Sequence, residues 1–277
     1  MGLELRMLGS GTSSGVPRVG GDWGRCNPAN PRNRRRRVSI LVSCGETRLL
    51  VDTSPDLREQ LLDAGVSDIT AVLFTHDHAD HCHGIDDLRA IFHRRGRRIP
   101  CFMDQRTMET LARRFDYVFT VRDGYPAIAD AHPVAPEMRF GPVLVRPILQ
   151  LHGSITSLGY RFEAEGRAIA YSTDLNGIPE ESWPLLSGLD LWIVDALRRH
   201  PHPTHSHLAQ TLAWIERARP REAWLTHMDQ SMDHDELMAE LPPGVSPGYD
   251  GRLWRAEVRG VSAASGEATG GRLGAGA

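Results

Sequence analysis

The stretch Thr75-His-Asp-His-Ala-Asp-His-Cys-His-Gly84, THDHADHCHG, places four histidines and two aspartates within the eight positions from His76 to His83. Three readings are open for it: a solvated polar loop, the ligands of one metal, or the ligands of two. It follows the apolar run AVLF at 71–74, which reads as a short buried strand. His76 and His78, two residues apart, leave that strand end on the same side. Asp80 and His81 come one tight turn later, before a helix expected near Gly84. Two pairs of side chains are thereby offered to two neighbouring points. The spacing differs from HExxH, whose histidines four residues apart share one face of a helix.

Other apolar runs end in the same manner. VRPILQL leads into His152, AIAYST into Asp174, LWIV into Asp195, AWLT into His227 and RLLV into Asp52. Open α/β arrangements put their sites in the loops at one edge of the sheet, and six strands that each deliver a histidine or an aspartate fit that rule. Between them lie helical patterns over 54–65, 84–95, 105–119 and 206–218, the first started by Ser54 or Pro55 and ended by Gly65. His152, Asp174 and His227 add more ligands than one tetrahedral ion needs, and seven candidates divide between two metals if one carboxylate bridges. The pattern as a whole favours metal over a polar turn, although any one of the outlying histidines taken alone is better read as an ordinary side chain.

Composition narrows the class. The chain of 277 residues is 40% hydrophobic, enough for a sizeable core in one domain, which we expect over 1–255. The Gly-, Ala- and Ser-rich end, 256–277, reads as a flexible tail. No eighteen-residue apolar run and no signal-peptide pattern is visible, so a soluble, cytoplasmic protein without membrane contact is expected. Cys26, Cys44, Cys82 and Cys101 form no CxxC pair, which argues against a disulfide framework and a zinc ribbon. A net charge of −3 argues against a generally basic nucleic-acid surface, despite the run Arg34 to Arg37.

The order T75-H-D-H-A-D-H81, then His152, Asp174 and His227, resembles the metallo-β-lactamase superfamily and its HxHxDH motif. The resemblance implies an α/β (α+β) fold, an αββα sandwich of two mixed sheets flanked by helices. It also implies that His76, His78 and His152 bind one metal, that Asp80, His81 and His227 bind another, and that Asp174 bridges them. The stretches LGSGTSSGVPRVGGDWGRC and NPANPRNRRRRVSILV, together with GYDG at 248–251, resemble the PhnP-type branch, the phosphoribosyl cyclic phosphodiesterases and their relatives, from about residue 5 to 255. On that pattern His205, in HSHL at the entry of a helix, is the candidate general acid. Asp77 is expected to orient a ligand or the water. His83, His200, His202 and His207 receive no role.

The glycine-rich turn does not complete GxGxxG, but Ser13 and Ser14 are candidates for substrate contact. Alternate arginines beside the strand VSILVS, Arg35 and Arg37, are candidates to face the cleft and attract an anion. One departure from the branch stands out. Some members hold an additional structural zinc through clustered cysteines in this loop and a histidine three positions after the last ligand; here Cys26 stands alone and Gln230 occupies the second place, so no extra zinc is expected.

The function implied is hydrolysis of a small cyclic or nucleotide-like phosphodiester by metal-activated hydroxide, with two divalent ions, zinc or manganese, about 3.5–4 Å apart. A ribonuclease or single-strand nuclease of the same fold is second, although no aromatic platform for a polynucleotide is evident. A thioesterase or lactonase follows, and a non-catalytic metal- or nucleotide-binding protein is the alternative of another class. A homodimer is carried as the candidate assembly.

Overall fold

A computed structural model describes residues 2–256. The chain first builds one sheet from β1 (Glu4–Gly9), β2 (Ser39–Cys44), β3 (Thr47–Val51), β4 (Ala71–Leu73), β5 (Ile99–Met103) and β6 (Ala129–Pro133). It then builds a second from β7 (Met138–Phe140), β8 (Val143–His152), β9 (Ile155–Ala164), β10 (Arg167–Ser172), β11 (Leu191–Asp195), β12 (Glu222–Thr226) and β13 (Val245–Pro247). The last strand, β14 (Leu253–Arg255), returns to the first sheet beside β1, so both sheets have seven strands, β14-β1-β2-β3-β4-β5-β6 and β13-β12-β11-β10-β9-β8-β7. Each is antiparallel in one half, and parallel from β3 to β6 or from β10 to β13.

Alternation along the strands explains the layers. Leu49 and Val51 of β3, with Leu191 and Ile193 of β11, point into the core between the sheets, where Tyr160, Phe162 and Tyr171 join them. Leu50 points the other way, under α1 (Leu57–Ala64), α3 (Leu88–Arg95) and α4 (Gln105–Arg114). Trp192 and Val194 lie under α6 (Leu208–Ala218) and α7 (His234–Glu240). Strands covered on both faces need apolar residues at successive positions, which is why Leu49-Leu50-Val51 and Leu191-Trp-Ile-Val194 are unbroken apolar runs rather than alternating ones. The architecture is the expected αββα sandwich.

Helix limits differ from the periodic pattern in detail. The pattern over 54–65 becomes α1 from Leu57, ended at Gly65 in the left-handed region at φ 65°. The pattern over 84–95 opens with a 3-10 turn, Ile85–Asp87, before α3. That over 105–119 breaks at Phe115, whose φ of −130° and ψ of 44° are not helical, leaving the four-residue α5 (Asp116–Phe119). The expected tail lies outside the described residues except Ala256, whose N–H donates to the Leu3 carbonyl and which packs on the core. Among the described residues no helix is long and apolar enough to cross a membrane.

Parallel strands aim their C-terminal ends at one edge. There the segment after β3 is stitched to the histidine-rich stretch: Thr53 N–H donates to the His81 carbonyl at 2.8 Å and Gly84 N–H to the Thr53 carbonyl at 2.9 Å. A Cβ at Gly84 would stand 2.0 Å from the Ser54 carbonyl oxygen. Gly84→Ala therefore forces these segments apart, at a cost of about 1–3 kcal/mol or more. Urea unfolding should show a lower midpoint at unchanged slope, and a midpoint equal to the parent's would contradict this account of the packing.

Candidate metal centre

Two groups of side chains converge at that edge. In the first, potential ligand atoms of His76, His78, His152 and Asp174 lie within 4.8 Å of one another; in the second, those of Asp80, His81, Asp174 and His227 do. Asp174 belongs to both and divides its oxygens. Oδ2 is 3.7 Å from Nε2 of His76 and 3.7 Å from Nε2 of His152, while Oδ1 is 3.1 Å from Nε2 of His81 and 3.4 Å from Nε2 of His227. Asp80, on the short helix α2 (Ala79–Cys82), brings Oδ2 to 3.4 Å from His81 Nε2 and 3.5 Å from His227 Nε2. All seven side chains read as ligands from the sequence are thus brought together.

The backbone bends sharply to do this. Asp174, His227 and Asp52 all sit just past strand ends in the left-handed region, with φ of 51°, 58° and 63°. Such conformations cost non-glycine residues of order 1–3 kcal/mol each and gather at functional sites.

Surrounding groups fix which ring nitrogen faces inward. Nδ1–H of His152 donates to the Thr204 carbonyl at 2.7 Å, so its Nε2 carries a lone pair; that atom lies 3.3 Å from Nδ1 of His78. The Thr75 hydroxyl donates to Asp52 Oδ2 at 2.8 Å and stands 3.0 Å from His76 Nδ1, while His81 Nδ1 lies 2.7 Å from the same carboxylate oxygen. Asp52 is held in turn by the Thr75 N–H at 2.8 Å. The Nε2 atoms of His76 and His81 are buried and make no hydrogen bond. Buried polar nitrogens without partners are costly, and bare imidazole nitrogens facing carboxylates are what a divalent cation requires, so the residues fit such an ion.

Electrostatics agree. Burial opposes ionisation of Asp174, yet His227, His81 and His205 outweigh it and hold its carboxyl well below the usual range. Burial also disfavours charge on His76 and, with His81 beside it, keeps the ring far below its ordinary value and neutral. For His81 burial is overcome by Asp174, Asp80 and Asp52, which drive it well above the ordinary value. The carboxylates demand positive charge at that point, and an ion would supply it in place of the proton.

His205 stands beside both groups. Its ring stacks on His227 at 4.7 Å between centroids, its Nε2 is 3.8 Å from Asp174 Oδ2 and its Nδ1 is 3.0 Å from Asp195 Oδ2. Burial works against its charge, but Asp174 and Asp195 prevail and raise it to about 9. Asp52 and Asp195, marked in the sequence only as strand-end residues, contact this site through His81 and His205. The available signal was their place at strand ends, the same one that marks Asp174. Asp195 also approaches His227, with Oδ1 3.9 Å from Nδ1, and Asp195, His205 and His227 form a further group with metal-ligand spacing.

Asp77 belongs to neither ligand group, its carboxylate makes no hydrogen bond among the described residues, and its carbonyl accepts from Arg114 Nη1 at 2.7 Å. Arg35 does not face a cleft. It is 2% exposed, donates to the carbonyls of Met232 at 2.6 Å and Asp229 at 3.3 Å, and lies 3.7 Å from Cys26 Sγ. It turns inward because its backbone pairs with Val16, which closes the loop over it. Arg37 is bound to Asp56, with Nε 3.2 Å from Oδ2, beside α1. Ser13 and Ser14 are exposed, in a turn that lies against the His227 strand end through the Thr12 N–H to Met228 carbonyl bond at 3.2 Å. Near Cys26, Gln230 packs on Gly24 and its carbonyl accepts from the Arg25 N–H. Among the described residues no group with metal-ligand spacing includes Cys26.

Comparison with known proteins places this geometry. Residues 47–228 match the family described as the beta-lactamase superfamily domain. A solved diphosphatase from the PhnP family is similar with a TM-score of 0.85 and 35% identity, over 92% of this chain and 98% of that one. Zinc-bound PqqB from Methylobacterium extorquens shares the fold at a TM-score of 0.70 and 19% identity, over 91% of this chain and 99% of that one. An octanoyltransferase of Porphyromonas gingivalis (strain ATCC BAA-308 / W83) is 35% identical over 257 residues, 90% of this chain but 51% of that protein, so the chain spans about half the length of this curated relative. With its two sheets, its His/Asp groups at the strand ends and these relatives, the chain belongs to the metallo-β-lactamase superfamily of metal-dependent hydrolases and, within it, to the PhnP-type branch.

Proposed function

We propose that this chain hydrolyses small phosphodiesters, diphosphate diesters included, with two divalent ions, zinc or manganese, at the site. The observation that carries the reading is the division of Asp174 between two ligand groups with His205 beside them. His76, His78, His152 and Oδ2 of Asp174 would hold one ion, and Asp80, His81, His227 and Oδ1 the other. When bound, such ions lower the pKa of water and offset negative charge on phosphoryl oxygens.

The chain's own residues supply the rest. Asp52 accepts from His81 Nδ1–H and the Thr204 carbonyl from His152 Nδ1–H, which orients both rings. His205 is 12% exposed at its side chain, whereas His76, His81, His152 and His227 are at 2% or less. Solvent and substrate therefore reach its ring more readily than those four. With Nδ1–H committed to Asp195, its Nε2–H is the proton available to a leaving oxygen. The diphosphatase relative supports a phosphoryl substrate. The octanoyltransferase name supports an acyl substrate instead, and belongs to a protein about twice as long.

Three measurements test this. Metal-loaded protein should turn over bis(p-nitrophenyl) phosphate and a dinucleoside diphosphate faster than p-nitrophenyl phosphate, a lactone or an octanoyl thioester; preference for the last two would sink the phosphodiester reading. His205→Ala should lower turnover about 10²- to 10⁴-fold with metal content unchanged, and loss of metal would make His205 a ligand. Asp52→Ala should weaken metal retention about 10- to 100-fold for one of two equivalents, measured by dialysis against a chelator. Equal retention of both equivalents would remove Asp52 from the metal site.

A further inference from the structure

The opposite end of the second sheet carries an arrangement that the hydrolytic site does not use. β11 and β12 reach the metal centre through Asp195 and Thr226, whereas Asp190 and Glu222 mark their other ends, about 16 Å away along the strands. There a cavity of about 420 Å³ opens between the sheets, walled by Arg167, Arg221, Arg252 and Arg255 with Trp224 and Tyr249. Four guanidinium groups face two lining carboxylates, Asp190 and Glu222, in a chain whose net charge is −3.

The carboxylates do not neutralise this wall. Asp190 Oδ1 is shared by Arg167 at 2.8 Å and Arg221 at 3.4 Å, and its Oδ2 accepts from the Ala168 N–H. Arg255 reaches Glu4 outside the cavity at 2.9 Å. Arg252 has no carboxylate within ion-pair distance among the described residues. It lies 3.8 Å over the ring of Trp224 and 5.6 Å from that of Tyr249, which Arg32 covers from 4.9 Å. Its hydrogen bonds, to Ser246 Oγ at 2.8 Å and the Pro247 carbonyl at 2.9 Å, use Nη1 alone, so Nη2 and Nε keep their donors. Trp224 is 3% exposed, and its buried Nε1–H has no hydrogen-bond partner. Planar donor forks on a partly desolvated cation form a receptor for an oxyanion. The ring faces are already taken by arginine, so recognition is of charge and oxygen atoms rather than of a stacked base.

We propose that this cavity is a second ligand site, distinct from the metal centre, that binds a small phosphate-bearing anion. The inference does not rest on the hydrolytic reading. Metal-loaded full-length protein should bind α,β-methylene-ADP, measured by titration calorimetry, in an event that quenches tryptophan fluorescence through Trp224 and Trp254 of the cavity wall. Arg221 is 68% exposed and Arg255 66%, so the double variant Arg221→Ala/Arg255→Ala should fold normally. It should weaken the quenching event at least about tenfold and leave hydrolytic turnover unchanged. Inorganic phosphate that displaces the nucleotide from this event assigns recognition to the phosphoryl group. Absence of a quenching event, a quenching event equally tight in the double variant, or no displacement by phosphate would each overturn the proposal.

Discussion

A buried carboxylate that two clusters of imidazoles share is the constraint on which the rest of this structure depends. Asp174 is 2% exposed and has four histidine nitrogens within 4 Å of its oxygens, besides that of His205. An isolated carboxylate at that depth would cost several kcal/mol, and breaking one partner of a buried pair typically costs 3–5 kcal/mol. Those magnitudes exceed the cost of a left-handed residue, about 1–3 kcal/mol. The fold therefore tolerates Asp52, Asp174 and His227 in left-handed backbone, because each turn places a side chain that the charge balance requires.

The sandwich exists in the form it does because two parallel half-sheets must end at one edge. β3 and β4 bring Asp52 and His76 from one side, and β10, β11 and β12 bring Asp174, Asp195 and His227 from the other. The core between them, with Tyr160, Tyr171 and Phe162 fully buried, sets the spacing of the two edges. Tyr160 couples the layers directly, since its hydroxyl donates to the Phe74 carbonyl at 2.6 Å, two residues before His76. Packing in the interior and ligand geometry at the rim are thus one problem for this chain.

What the sequence made legible follows from that arrangement. A strand buried on both faces is an unbroken apolar run, so a polar residue immediately after it is conspicuous; this exposed Asp174 and His227 as surely as His76. Asp52 and Asp195 were equally conspicuous, but a carboxylate that orients a ligand has the same local signature as one that is a ligand. Only the distances from Asp52 to His81 and from Asp195 to His205 separate the roles. Arg35 was misread for a related reason. Alternation next to a strand predicts that residues 35 and 37 share a side, but not whether a loop later covers it, and the loop through Val16 and Cys26 does so.

Arg35 also shows how this chain ties its glycine-rich loop to the segment after His227. One guanidinium there contacts Cys26, the Asn33 side chain and the carbonyls of Asp229 and Met232, joining the glycine-rich loop to the segment after His227. Asp233 reinforces the junction by accepting from the Asn33 side chain at 2.6 Å and the Asn27 N–H at 2.9 Å. A planar cation with several donors satisfies more than one main-chain oxygen at once. These hydrogen bonds to carbonyls fix the loop. They also place the loop that carries Ser13 and Ser14 against the last strand end of the metal centre, so the order of that loop and the position of His227 are set by the same buried arginine.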